Sequence, residues 1–325
     1  MQTLFTKIQQ FCIDHNLITP GSKIVVGFSG GPDSMLLLYF LNSIKHTHNL
    51  SLLAVHLDHG WRESSASEAV FCKEVCDKLD IAFLSARLNE LPLPPEKLKG
   101  SKEEVGRHAR RFLLEQVAHE HNANSIALGQ HFDDQEETFF IRLIRGSTLS
   151  GLTGIKPQEG MYIRPLLSLM KKEVLTHLDK QGITYIKDPS NEHDAYLRNK
   201  IRKYVIPALR QVDDRFDHNF KRTLTSLQET EDYLKTHTQE VFDRIAQHEH
   251  DCWMLQSDKL LTLHPYMQHR ILLMWLIKNN VSFVPTESFL DEIIRFIEQS
   301  GSKTHTLHER WSIVKKKNVI FIEKL

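Results

Sequence analysis

The sequence predicts an α/β protein in which a domain built on a parallel sheet precedes a smaller, mainly helical one. Three observations predict it. Short apolar runs alternate with helical patterns through the first two thirds of the chain, the signature of strands joined by crossover helices. The pattern then turns helical beyond Pro207 and Asp213-Asp214. The 325 residues also exceed what one hydrophobic core usually organises. The expected domains are residues 1–215 and 216–325.

The elements follow in order. Leu4, Phe5, Ile8, Phe11 and Cys12 recur at helical spacing, so the N-terminal stretch reads as a docked amphipathic helix rather than a secretion signal. Lys23 to Phe28 is an apolar strand running into a glycine-rich turn. Met35 to Leu41 is apolar on all sides, which marks a buried helix. Ser51 to Leu57 and Ile81 to Ala86 read as strands, with a helix from Ser64 to Leu79 between them. Leu91 to Pro95 and the lysines behind it read as a mobile loop. A helix over Glu103 to His121, a strand over Ser125 to Gly129 and a helix over Asp134 to Arg145 complete the alternation. In the second domain, Asp217 to Gln247, His269 to Lys278 and Phe289 to Ile297 read as helices. Thr304 to Ile313 and Asn318 to Ile322 read as a β-hairpin turning at Lys315-Lys316-Lys317.

Composition narrows the function classes. Hydrophobic residues make up 41% and charged residues 25%, an ordinary globular mixture. No apolar run is long enough to span a bilayer, so a cytoplasmic protein without a membrane partner is expected. Forty-one basic and 41 acidic residues cancel, so a nucleic-acid partner requires local clustering. Clusters exist: Lys97 to Phe112 carries six Lys or Arg against two acids, and Arg198 to Arg222 eight against three. The cysteines (Cys12, Cys72, Cys76, Cys252) form no C-x-x-C pair and read as buried thiols. No H-E-x-x-H pattern organises the 19 histidines.

The chemistry concentrates in Ser29-Gly30-Gly31-Pro32-Asp33-Ser34, between the first strand and the buried helix. Paired glycines let backbone amides form an anion-binding nest, with the positive end of the helix behind it. Ser29 and Ser34 add hydroxyls. Asp33 would repel phosphate unless it holds a Mg²⁺ that bridges to phosphate oxygens. The loop lacks Gly-Lys-Ser/Thr and so is not the common NTPase loop. It resembles the S-G-G-x-D-S signature of the PP-loop ATP pyrophosphatase superfamily. That resemblance implies attack on the α-phosphate of ATP, with release of pyrophosphate.

Further runs narrow the resemblance. His56-Leu57-Asp58-His59-Gly60-Trp61-Arg62, Glu104-x-x-Arg107-x-x-Arg110, Gly129 to Thr138, Arg142, Arg145-Gly146 and Arg164-Pro165-Leu166 appear in sequence. Asp188-Pro189-Ser190-Asn191 and Arg198-Asn199-x-Ile201-Arg202 follow. Together they are similar to the motifs of tRNA(Ile)-lysidine synthetases, over about residues 20 to 210. Gln130 and Arg111 depart from that pattern, where histidine and tyrosine are usual. The resemblance implies that lysine is joined to C2 of the wobble cytidine (position 34) of a CAU-anticodon tRNA(Ile) through an adenylated intermediate. It implies Asp33, Asp58, Asp134 and Glu137 as catalytic residues, and Ser29 to Ser34 with His56 and His59 around ATP. Arg110 would pair with the lysine carboxylate, while Asp134 and Glu137, three apart on one helical face, would hold an ammonium group. Arg142, Arg145, Arg198, Asn199 and Arg202 would contact tRNA, and Trp61 is the candidate aromatic partner for an unstacked base. A homodimer is compatible with this reading. Two other classes remain open: a tRNA sulfur transferase on the same sheet, and a nucleotide-binding module without turnover.

Overall fold

The computed structural model describes residues 3–61, 65–187, 196–282, 285–308 and 310–324. The chain divides into two units, 1–224 and 225–325, with the division inside one long helix.

The first unit begins with α1 (Leu4–Asp14), capped by the Thr3 hydroxyl, which accepts from the Thr6 amide at 3.2 Å. Strand β1 (Lys23–Gly27) follows, then α2 (Pro32–Ile44), β2 (Ser51–Asp58), α3 (Ser65–Lys78) and β3 (Ala82–Arg87). The Pro-rich loop expected to be mobile contains a short 3-10 turn, Pro95–Leu98. Next come α4 (Lys102–Glu120), β4 (Ser125–Ala127), α5 (Phe132–Ile144), α6 (Leu149–Leu152), β5 (Gln158–Glu159), β6 (Tyr162–Ile163) and α7 (Lys171–Lys180). A continuous helical run then joins α8 (Leu197–Lys200), a π-helical turn (Ile201–Val205) and α9 (Ile206–Val212). Helix α10 (Phe216–Ile245) crosses the division between the units.

The sheet order is β3-β2-β1-β4-β6-β5. All pairings are parallel except β5 with β6. Both faces of the sheet are covered, which is why β1 is an unbroken apolar run rather than an alternating one. Ile24 and Val26 join the core with α1, α2, α3 and α7, while Val25 joins the opposite core with α4. Helix α2 lies inside the first core, with Leu36, Leu37, Leu38, Phe40 and Leu41 fully buried. Chain order reverses on either side of β1, which makes its carboxyl end a topological switch point.

The second unit holds the C-terminal part of α10, then β7 (Ala246–Glu249), β8 (Cys252–Gln256), α11 (Ser257–Leu261), α12 (Pro265–Lys278) and α13 (Glu287–Glu298). It ends with β9 (Lys303–His308), β10 (Trp311–Lys316) and β11 (Val319–Lys324). The expected hairpin is part of a five-stranded antiparallel sheet ordered β7-β8-β11-β10-β9. The stretch read as one strand from Thr304 to Ile313 covers most of β9 and the first half of β10. The following turn sits at Lys317, in the left-handed region at φ 53°. Lys315 is therefore inside β10 and buried; its ammonium donates to the Ile297 and Gln299 carbonyls, at the end of α13. Trp275, Phe242, Ile293 and Ile313 form the centre of this unit's core. No described helix is long and apolar enough to cross a membrane.

Candidate active site

Ser29 to Ser34 leaves β1 at the switch point. Gly30 has φ +74°, and a Cβ there would lie 2.5 Å from Ile186 Cδ1 and 2.9 Å from Cys72 Sγ. The Gly30 carbonyl also accepts from the Ile186 amide at 2.9 Å, so only glycine fits. The Ser34 hydroxyl accepts from the Ser29 amide at 3.2 Å and donates to the Gly31 carbonyl at 2.9 Å. It thus closes the loop on itself rather than standing free as a ligand donor. Gly31 caps α2 without a side-chain acceptor, leaving the positive helix end open to an anion. Gly129, just beyond β4, allows close packing behind the loop, since a Cβ would meet the Asp33 carbonyl carbon at 2.9 Å.

Charged groups gather beside this nest. Lys171, at the start of α7, places its Nζ 2.7 and 2.6 Å from the two Asp33 carboxylate oxygens. The buried His131 ring has Nε2 3.6 Å from both Asp33 and Asp134, and Nδ1 3.4 Å from Asp133. Burial alone would hold the His131 imidazole down. The Asp133 carboxylate beside it, with the Asp134 and Asp33 charges, outweighs burial and raises it. Burial pushes the Asp133 carboxyl up, but the adjacent His131 ring and the hydrogen bond from the Lys171 amide pull it well below the usual range. Asp134 accepts from the His131 amide at 2.9 Å, so it caps α5 while facing the cluster.

Asp134 and Glu137 share a face of α5, but Glu137 is fully buried and already bound. Arg202 donates to it at 2.6 and 3.1 Å, and Arg198 Nε lies 3.2 Å away. Burial pushes the Glu137 carboxyl up, and these guanidinium groups pull against that. The adjacent Glu136 is equally buried and pairs with Arg210 at 2.8 Å. Burial raises its carboxyl to about 8. Arg198 and Arg202, expected to face tRNA, thus converge on Glu137 from α8 and the π-helical turn after it, with Asn199 between them in sequence.

At the end of β2, His56 is buried, and its Nδ1–H donates to the Phe28 carbonyl at 3.0 Å. Burial lowers its pKa, so the ring is neutral at pH 7 and staples β2 to the strand entering the loop. Asp58 accepts from the Gly60 amide at 2.8 Å and lies 3.6 Å from Arg87. His59 stacks on Trp61 with centroids 4.5 Å apart, and its Nε2 lies 3.3 Å from Arg110. Arg142 donates to the Gly151 and Gly154 carbonyls at 2.6 and 2.9 Å, while Arg145 is exposed at the end of α5. Of the two departures from the motif pattern, Gln130 accepts from Arg164 at 2.6 Å, and Arg111 pairs with Glu115 at 2.8 Å. Arg62 and Asp188 to Asn191 lie outside the described residues.

Sequence reasoning missed Lys171, His131 and Arg210 as members of the cluster. His131 lies within the Gly129 to Thr138 run, but only the fold sets it against Asp33. Nothing in a Lys-Lys pair opening a helix points to a partner 138 residues away.

A parallel sheet with an amide nest at its switch point, and acids from the neighbouring strand end beside it, defines a nucleotide-binding α/β domain. The chain belongs to the PP-loop family: the family model described as a PP-loop domain matches residues 1–209. Among curated proteins, it is similar to a tRNA(Ile)-lysidine synthase of Geobacillus kaustophilus, with 31% identity over 288 residues, 87% of this chain and 62% of that protein. A Bacillus subtilis protein of the same name is 31% identical over 300 residues, 90% of this chain and 62% of its own. One from Bacillus cereus is 34% identical over 238 residues, covering 72% and 50%. The chain therefore spans between half and two thirds of the length of these relatives. Among solved structures, the U34-tRNA thiolase NcsA from Methanococcus maripaludis, with its [4Fe-4S] cluster, superposes with a TM-score of 0.57. It is 21% identical, covers 69% of this chain and 78% of its own, and so speaks for the fold.

Proposed function

We propose that the protein is an ATP-dependent ligase that joins lysine to C2 of the wobble cytidine of CAU-anticodon tRNA(Ile). The observation that carries this reading is the open amide nest at the switch point with Asp33, His131, Asp134 and Lys171 on one side of it. The substrates rest on the named relatives. The wobble O2 attacks the α-phosphate of ATP held by Ser29 to Ser34, and pyrophosphate leaves. The lysine ε-amine then attacks C2, loses a proton, and AMP leaves with the former O2.

Lys171 and the α2 amides neutralise phosphate charge in the first step. A second cationic helper fits the donor set. Asp33 and Asp134 converge on His131 and offer hard oxygens, and Mg²⁺ needs only one or two carboxylates besides phosphate and water. When bound, that ion supplies charge neutralisation at the phosphates. No larger metal-binding group occurs among the described residues. In the second step the free ammonium must lose a proton, which costs about 4.6 kcal/mol at pH 7 from a pKa near 10.4. Asp134 orients the amine and takes up its proton, Glu137 backs the subsite through Arg198 and Arg202, and Arg110 pairs with the amino-acid carboxylate. Arg145, Arg142 and the stretch around Asn199 line the proposed RNA approach, with Arg198 and Arg202 shared between it and Glu137.

The sulfur-transfer reading would need a reactive thiolate near the loop. Cys72 and Cys76 are fully buried, and burial raises both thiols to about 12, which keeps them protonated. A binding module without turnover would not need Asp33, Asp134 and Glu137 together.

The test combines pyrophosphate release with labelled-lysine incorporation on isoleucine and methionine tRNA transcripts that both carry CAU. Incorporation only into the isoleucine transcript, with tRNA-dependent pyrophosphate, is expected. Pyrophosphate without lysine incorporation would point to another nucleophile, and no pyrophosphate with either RNA would remove the ligase reading.

A further inference from the structure

The turn after β2 builds an aromatic surface that the steps above do not use. Asp58, buried at the end of β2, accepts from the Gly60 amide at 2.8 Å and so fixes a tight reversal. Gly60 follows in the left-handed region at φ +65°, and the chain folds back so that Trp61 stacks on His59, nearly parallel at 17°. Helix α4 makes room for the pair at one residue. A Cβ at Gly106 would lie 2.8 Å from the Trp61 ring and 3.1 Å from the His59 ring. One helical turn further along α4, Arg110 reaches His59 Nε2 at 3.3 Å. Three features on two elements therefore hold these rings in place: the Asp58 turn after β2, and on α4 the missing side chain at Gly106 and the Arg110 guanidinium.

The stack is not buried by this support. Trp61 remains 41% exposed, although a tryptophan that only filled space against α4 would turn its indole inward. Its position is also specific. The rings lie one side chain from Arg110, the group assigned to the amino-acid carboxylate.

We propose that the exposed face of Trp61, backed by His59, is a stacking platform for an unpaired nucleobase. Every base presents a π face to such a surface, so the contact supplies orientation rather than sequence readout. Resting on the RNA-ligase reading, the base is the one that receives the amine, since the platform adjoins the amino-acid subsite. The adenine of ATP is the other source with the same chemistry. Trp61 is thus a positioning residue.

The experiment compares the full chain with Trp61→Ala and Trp61→Phe. Trp61→Ala is expected to raise KM for tRNA about tenfold with little change in kcat or in KM for ATP. Trp61→Phe is expected to recover most of the loss, because it restores a ring. A rise in KM for ATP instead would keep the platform and assign it to adenine. A lowered melting temperature with both KM values unchanged would overturn it and leave Trp61 as a cover for Gly106. A second measurement needs no turnover. Trp61 is one of four tryptophans, so the difference in fluorescence quenching between wild type and Trp61→Phe reports stacking directly. Titration with ATP and with a cytidine-bearing RNA loop decides the platform even if no lysine is ever incorporated. Equal quenching of both proteins by both ligands would refute it.

Discussion

Replacing Lys171 with methionine tests whether the loop needs a mobile cation. The lysine ammonium lies within 2.7 Å of both Asp33 oxygens, and the two side chains are 32% and 28% exposed. At that exposure water screens the pair, so its loss costs folding stability about 1 kcal/mol or less. The larger effect comes with the nucleotide. Without Lys171, Asp33 faces the incoming phosphates as an uncompensated negative charge, and a charge-assisted hydrogen bond to the anion is lost. Such a bond contributes about 2 kcal/mol. Converted at 1.4 kcal/mol per factor of ten, that is roughly thirtyfold in kcat/KM for ATP. Steady-state pyrophosphate release at saturating tRNA reads this number directly, with thermal melting as the control. Lys171→Arg, which keeps the charge, should retain most of the activity. A Lys171→Met protein whose kcat/KM for ATP matches the wild type would refute the reasoning, and a large drop in melting temperature would reassign the pair to folding.

Three further outcomes are expected. Gly30→Ala forces a Cβ into Ile186 and Cys72 at a left-handed position that costs an L-residue about 1–2 kcal/mol; pyrophosphate release should fall with the melting temperature, and an unaffected variant would show that the loop tolerates another geometry. Glu137→Gln should raise KM for lysine while tRNA-dependent pyrophosphate release continues; an unchanged lysine requirement would remove Glu137 from the amine subsite. Glu136 has a folded pKa of about 8 against an ordinary value of 4.5, so it binds its proton more tightly folded than unfolded. The stability this gives is complete below about 4.5 and lost as pH rises through 8. Melting scans should therefore show the wild type losing ground to Glu136→Gln between those limits, and a gap that widens the other way would contradict the burial argument.

Much of the first unit was legible because its signals are local. An apolar run, paired glycines, an acid and a buried helix fall within about one βα unit, and each is fixed by neighbours in sequence. Gly30 and Asp33 could be read in this way. What could not be read depends on pairing at a distance. Arg198 and Arg202 look like a solvated basic stretch until the fold sets them against Glu137. Lys171 meets Asp33 only because the start of α7 lies beside the switch point. The β7–β8 part of the second sheet was missed for a different reason. Ala246 to Glu249 is mostly polar, and only its partner Cys252 to Gln256 makes it a strand. Lys315 was misplaced because a lysine run looks like a turn, whereas one of the three lysines faces the end of α13.

The π-helical turn at Ile201–Val205 sets a helical phase. An α-helix advances about 100° per residue, so side chains eight apart, as Arg202 and Arg210 are, would diverge by roughly 80° in an unbroken helix. A turn that bonds five residues ahead winds less per residue and reduces that offset. Two arginines that an ordinary helix would splay can therefore answer adjacent carboxylates, Arg202 on Glu137 and Arg210 on Glu136. A regular α-helix would reach the same alignment only with the two arginines seven residues apart, an advance of about 700°. The register of this helix is thus as much a part of the site as the residues it carries.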